Sequence, residues 1–140
     1  MSCYNSTVVP APVDKVWARL RDFHDMSWAR GVVESCERVG NIPGTQIGAK
    51  RVLNKAFHET LRGLDDTRRV IRYSIDDGPD AVARGKVTNY IGEVSVFPVT
   101  DANSTFVLWT SSWDDSAGGV AEFCNPIYRA LLEALRKDLS

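Results

Sequence analysis

The C-terminal segment, Ala117–Leu139, constrains this chain most. There Val120, Phe123, Ile127, Leu131 and Ala134 recur at helical spacing. Such a stripe must be buried against another layer, and the chain offers no second long helix to receive it. From Val32 to Trp113 the pattern instead alternates with period two, so the available layer is a sheet. Asn125 and Pro126 interrupt the stripe. Either Asn125 caps a new helix with Pro126 at its first position, or Pro126 kinks one long helix; the kinked long helix is expected.

The rest of the chain supplies the sheet in order. Ser6–Val9 reads as a short strand entering a turn at Pro10. Pro12, then Val13, Val16, Trp17 and Leu20, predict a short amphipathic helix over residues 12–21. A second short helix is expected around Phe23–Ala29, ended by Gly31. Strands follow at Val32–Val39, Gln46–Leu53, Ala56–Leu64, Arg68–Ile75, Lys86–Val99 and Thr105–Trp113. Turn chemistry separates them at Asn41–Gly44, Asp65–Asp66, Asp76–Arg84 and Asp101–Asn103. Ile47, Ala49, Arg51 and Leu53 share one face of their strand, and Ile71, Tyr73 and Ile75 share one face of theirs. Strands grouped between helices indicate an α+β fold with an antiparallel sheet. A long helix across a curved sheet is a common way to enclose a cavity.

Composition narrows the function classes. The 140 residues make one domain, 1–140, and 44% are apolar, enough for a core. Seventeen Lys+Arg against eighteen Asp+Glu give a formal charge of −1. That balance lacks the uncompensated cations a general hold on nucleic acid requires, so no nucleic-acid partner is expected. No apolar run approaches the ~20 residues that cross a bilayer, so membrane insertion is not expected. Met1–Val9 lacks a basic start and apolar stretch, so it does not read as a signal peptide. Three widely spaced cysteines, Cys3, Cys36 and Cys124, fit a reducing compartment, and the cytoplasm is the expected location. His24 and His58 are far apart with no ligand-spaced partners, so no metal site is expected; His58 should lie on an outer face. No phosphate-binding or dinucleotide-binding glycine motif is present, and no cofactor is expected.

Several residues in order carry a resemblance. Pro10, Ala11, Pro12, Val16 and Trp17, then Arg21, Asp22, Phe23 and Trp28, open it. Gly44, Gly48 and Arg51, then Glu59, Leu61, Leu64, Asp65 and Asp66, Arg72–Ile75, and Asn89 with Tyr90, continue it. From about Val8 to Leu139 the chain resembles the polyketide cyclase/START-like (SRPBCC) superfamily. The resemblance implies the helix-grip fold: a seven-stranded antiparallel sheet wrapped around a long C-terminal helix, two short helices after the first strand, and a hydrophobic cavity between sheet and helix. Within that superfamily the plant abscisic-acid receptors allow a residue-level comparison. By that resemblance their cavity lysine falls at Glu34, their cavity glutamate at Glu59, their cavity arginine at Arg51, an aromatic lining residue at Tyr73, and a polar one on the last strand at Ser111. Their gate is replaced by Leu53, Asn54, Lys55 and Ala56, and their latch by the loop Asp77–Arg84. Hormone reception is therefore rejected, and a cavity is what carries over.

Glu34, Arg51 and Glu59 form the candidate polar set, each expected to face inward. A carboxylate facing an apolar cavity is costly unless paired, and desolvation raises its pKa. One glutamate can ionise against Arg51 while the other donates a proton or holds an amine or hydroxyl. The alternative is a structural ion-pair network, or charges at the cavity mouth in water. Tyr73 and Tyr90 are candidates to orient a ligand, or else core aromatics with satisfied hydroxyls. Trp109 shares a face with Ser111 and Trp113 and either lines the pocket or packs under the helix. Phe123, Ile127 and Leu131 would face the cavity from the helix.

The leading functional expectation is binding, and transport, of a small hydrophobic ligand such as a lipid, polyketide or isoprenoid. The enzyme reading is a cofactor-independent cyclase/dehydratase with Glu34 or Glu59 as acid/base, Tyr73 orienting the substrate and Arg51 stabilising an enolate. A protein-binding module is the third, marked by a filled core and an exposed apolar patch. The chain is expected to act as a monomer or homodimer.

Overall fold

A computed structural model describes residues 1–140. Nine strands and two α-helices follow in order: β1 (Ser2–Val9), α1 (Val13–Leu20), β2 (Cys36–Val39), β3 (Lys50–Leu53), β4 (Phe57–Asp65), β5 (Val70–Asp77), β6 (Val87–Thr88), β7 (Ile91–Val99), β8 (Ser104–Ser112), β9 (Asp115–Ser116) and α2 (Val120–Asp138). Seven strands form one antiparallel sheet in the order β1-β8-β7-β5-β4-β3-β2, and β6 pairs with β9 separately. The sheet is a meander from β2 to β8, closed at the far edge by β1 running against β8. This is the α+β helix-grip architecture, with the long C-terminal helix held by the sheet.

The helix is a single element with Pro126 inside it. Pro126 has no N–H to donate to the carbonyl one turn back; beside it, Asn125 Oδ1 accepts from Asn5 Nδ2 of β1 at 2.9 Å. Val120, Cys124, Tyr128, Leu131, Leu132 and Leu135 are buried, so the centre of the buried face runs through Cys124 and Tyr128. Phe123 and Ile127 flank it, half-buried.

The second short helix around Phe23–Ala29 does not form; residues 22–35 are turns and irregular backbone. Side-chain oxygens take the amides a helix would need. Asp22 Oδ1 accepts from the His24 amide at 2.9 Å, and Asp25 Oδ1 accepts from the Ser27 amide at 3.0 Å. The predicted strand Val32–Val39 begins only at Cys36, and Gln46–Leu53 only at Lys50. The predicted strand Lys86–Val99 is broken at Asn89, which sits in the left-handed region at φ 55°.

Two irregularities shape the sheet's outer face. The β4–β5 register slips between Leu61 and Gly63 and between His58 and Glu59. The extra residues are Arg62 and Asp76, and they meet outside: Ser74 Oγ accepts from Arg62 Nε at 3.0 Å and donates to Asp76 Oδ1 at 2.8 Å. Bulges bend and twist a strand locally, here in the middle of the curved sheet. His58 is exposed.

Candidate functional site

Between the sheet's inner face and α2 lies a cavity of about 50 Å³. Its apolar walls come from Val33 in the irregular segment, Leu53 and Phe57 on neighbouring strands, Ile75, and Ile127 and Leu131 of α2. The polar lining is Arg51, Asn54, Glu59, Tyr73, Tyr128 and the Cys124 thiol. A second cavity of about 20 Å³ lies behind Met26, Arg51, Tyr73 and Trp109, which border both.

Arg51 and Glu59 are directly opposite each other on β3 and β4. Both are buried, at 7% and 6% side-chain exposure. Arg51 donates from Nε and Nη2 to the same oxygen, Glu59 Oε1, at 2.9 and 2.7 Å. Its remaining nitrogen, Nη1, donates to the Phe23 carbonyl at 2.9 Å, and the guanidinium lies 3.7 Å from the centre of the Phe23 ring. Arg51 is thus fully occupied by protein. Glu59 is not: Oε2 has no protein partner and Glu59 lines the cavity. Burial raises the Glu59 pKa, and the attraction of Arg51 offsets this only in part. The result is one unpaired acceptor oxygen at a space walled mostly by apolar side chains.

Beside it, starting on the neighbouring strand, is a chain of phenols. Trp109 Nε1 donates to Tyr73 Oη at 2.9 Å, Tyr73 and Tyr128 hydroxyls lie 3.3 Å apart, and Tyr128 and Tyr90 hydroxyls are in close contact. Burial pushes the pKa of all three phenols well above the usual tyrosine range. The row that carries Tyr73 is set by strand register: Leu61, Tyr73, Gly92, Ser111 and Cys3 stand side by side across five strands. Gly92 lets the Tyr73 ring lie flat along that row, since a Cβ there would sit 2.2 Å from Tyr73 Cζ. Tyr90 stacks on Trp113 with ring centres 5.8 Å apart.

The sequence-derived candidates separate cleanly. Arg51, Glu59, Tyr73, Trp109 and Ile127 all line the cavity. Tyr90 and Ser111 are buried behind it, reaching it only through Tyr128 and Tyr73. Phe123 lies at the rim, stacked on Phe57 at 6.2 Å. Glu34 is a correction: it is exposed and outside the cavity, on irregular backbone rather than an inward strand position. Its amide donates to Asn54 Oδ1 at 2.7 Å, and Asn54 Nδ2 donates to the Val32 carbonyl at 3.0 Å. Asn54 thereby zips residues 32–35 to the β3–β4 turn, making the cavity's lip. Tyr128, Met26 and Phe57 belong to the site and were not singled out from the sequence. Tyr128 was legible, being four residues from Cys124 and eight from Val120 on one helix face.

The family model for polyketide cyclase / dehydrase and lipid transport matches residues 2–140. No protein of curated function matches the sequence. Among solved structures, one of a Nitrosospira multiformis protein is 43% identical, covers 100% of this chain and 97% of its own, and superposes with a TM-score of 0.96. A Thermobifida fusca structure is 26% identical over 96% of this chain and 90% of its own, with a TM-score of 0.79. XoxI from Bacillus cereus, at 20% identity over 99% and 94% and a TM-score of 0.79, shares the fold.

Proposed function

Because this chain belongs to the polyketide cyclase/dehydrase and lipid transport family, within the SRPBCC superfamily, we propose that it binds a small, mostly apolar molecule between sheet and α2. The observation that carries this is the cavity itself, walled mostly by apolar side chains and lined by one carboxylate oxygen without a protein partner, Glu59 Oε2. A ligand with a hydroxyl or amine at one end satisfies that oxygen while its body fills the space among Leu53, Ile75 and Ile127. Arg51 fixes the carboxylate, Tyr73 and Trp109 continue the sheet side of the wall, and Phe123 with Phe57 stands at the mouth. Access runs through the lip held by Asn54. A lipid-sized molecule needs that lip to open and the side chains to move apart, because pockets that enclose drug-sized ligands run to roughly 300–1,000 Å³. We place the protein in a reducing compartment, a reading supported by its three free cysteines. No helix is long and apolar enough to cross a membrane.

One observation favours an enzymatic reading beside it. Glu59 combines a free oxygen facing the cavity with a raised pKa, the two properties a general acid/base needs. In that reading Glu59 is the acid/base of a cofactor-independent cyclase or dehydratase, with no contribution from Glu34.

The test is native mass spectrometry of protein purified from its own host, with extraction of anything bound. A discrete apolar molecule that is absent from an Ile127→Phe variant, whose larger ring fills the cavity, is the expected result. An empty wild-type protein whose melting is unmoved by hydroxylated apolar compounds overturns the binding reading.

A further inference from the structure

The cavity has a rear chamber. The two spaces, of about 50 and about 20 Å³, share four lining residues, Met26, Arg51, Tyr73 and Trp109, and these four form the partition between them. The rest of the rear chamber is apolar throughout: Leu20 of α1, Phe23 and Trp28 of the irregular segment, Ile71 of β5 and Val94 of β7. A polar group placed there finds no partner and carries the full cost of desolvation, so only an apolar part of a molecule fits.

Three of the four partition residues are fixed. Arg51 donates to Glu59 and to the Phe23 carbonyl, and lies on the Phe23 ring. Tyr73 accepts from Trp109 Nε1, meets the Tyr128 hydroxyl, and has its ring laid against Gly92. Trp109 packs between Tyr128 and Trp28, with ring centres at 5.4 and 6.4 Å. Met26 is held differently. It stands on irregular backbone, and its side chain has one polar contact, from Arg51 Nη1 to the thioether sulfur at 3.3 Å. A thioether is a weak acceptor, and the methionine chain is unbranched and adaptable. Of the four, Met26 alone also borders an open hollow on the surface, beside His24, Ser27 and Ser35. Its side chain therefore has space to move into when something presses on it from within.

We infer that Met26 is a movable partition, and that the ligand is an unbranched aliphatic chain with a hydroxyl at one end, its head on Glu59 Oε2 and its tail passing Met26 into the rear chamber. The inference rests on the cavity-binding reading and adds the shape of the ligand's body. A slender chain needs only the thioether to move aside. A ring of equal carbon count needs Tyr73 or Trp109 to move as well, against their hydrogen bond and stacking. Met26 is thereby the residue that sets which apolar bodies enter.

The probes are 1-butanol, 1-hexanol, 1-octanol and 2-cyclohexylethanol, which has the carbon count of 1-octanol, titrated by NMR against the full chain. Affinity is expected to rise about fourfold with each added methylene up to 1-octanol, the worth of burying one. Nuclear Overhauser contacts are expected from the terminal methyl of 1-octanol to the methyls of Ile71 and Val94. 2-Cyclohexylethanol is expected to bind about tenfold more weakly than 1-octanol. Met26→Ile is close in volume but stiff at χ1, so it should keep 1-butanol affinity within about twofold and weaken 1-octanol about fifteenfold, the loss of two buried methylenes. Val94→Leu, at a position that lines the rear chamber only, should weaken 1-octanol likewise and spare 1-butanol. Wild-type affinity that levels off before 1-octanol, or terminal-methyl contacts to Ile127 and Leu131 alone, overturns entry into the rear chamber and leaves the cavity reading standing. Full 1-octanol affinity in Met26→Ile overturns Met26 as the partition, and in Val94→Leu overturns the rear chamber as the tail's seat. Equal binding of 1-octanol and 2-cyclohexylethanol overturns the unbranched chain. No binding of any of the four at millimolar concentration overturns the cavity reading and this inference together.

Discussion

Replacing Glu59 by Gln should destabilise the protein far more than replacing Arg51 and Glu59 together. The pair sits at 7% and 6% exposure, with two donors of Arg51 on one carboxylate oxygen. In Glu59→Gln the guanidinium stays buried against the Phe23 ring and carbonyl but loses its counter-charge. An uncompensated buried charge costs about 3–5 kcal/mol, which for a domain of this size lowers Tm by about 10–15 °C. Arg51→Met leaves a carboxyl that can neutralise itself by protonation. Its cost should therefore depend on pH. The folded-state pKa of Glu59 is already above its ordinary value of 4.5, through burial, and removing Arg51 raises it further. A raised folded pKa contributes stability that is complete below about pH 4.5 and is lost as pH rises through the folded value. Arg51→Met should thus approach the wild type near pH 4.5 and fall away toward pH 7. The double variant Arg51→Met/Glu59→Leu removes both charges and keeps apolar volume over Phe23. It should lie within about 1 kcal/mol of the wild type, offset mainly by the Phe23 carbonyl left without its donor. Urea denaturation of the wild type, Arg51→Met, Glu59→Leu and the double variant at pH 7, with m-values compared, gives the cycle. A coupling energy below about 1 kcal/mol would refute the argument that this pair is desolvated.

Gly92→Ala places a methyl group into the Tyr73 ring and should cost about 1–3 kcal/mol or more in urea titration; Gly92→Ala/Tyr73→Ala should recover much of the loss. Asn54→Gly keeps the left-handed backbone at φ 54° but removes the clamp on residues 32–35. Amide exchange should speed up at Glu34 and Ser35 and not in β8, and ligand on- and off-rates should both rise. Asp66 accepts from Arg21 and from Trp17 Nε1, and these bonds hold its pKa at about 2. A lowered pKa means the interaction is complete above the ordinary carboxylate value and is lost as pH falls through about 2, so the Trp17 indole proton should shift with a midpoint there. A midpoint near 4 in the NMR titration would contradict the assignment.

How much of this was legible in the sequence depends on which force decided each piece. Register-controlled positions were readable. Arg51, Glu59 and Tyr73 fall inside because period-two alternation is rigid once a strand is paired. The helix was readable as one element, yet its buried face was placed too close to Phe123 and Ile127. Both look apolar, but the centre belongs to Cys124 and Tyr128, whose hydroxyl meets Tyr73 of β5 and Tyr90 just before β7. Those partners arise from contacts fifty-five and thirty-eight residues away in the chain, which no local pattern encodes.

Glu34 failed for the opposite reason. Its segment has strand-like residues, but its amide is taken by the Asn54 side chain rather than by a neighbouring strand. The vanished helix at Phe23–Ala29 has the same cause, with Asp22 and Asp25 capturing amides. Both failures border the cavity: one is its lip, and the other supplies the Phe23 carbonyl and Met26 sulfur that hold Arg51. Regular elements bury their backbone groups in each other, so a site that must admit a ligand is bordered by backbone held through side chains. Side-chain clamps release at lower cost than a sheet ladder, so the part of the chain hardest to read is the part that the proposed binding requires to open.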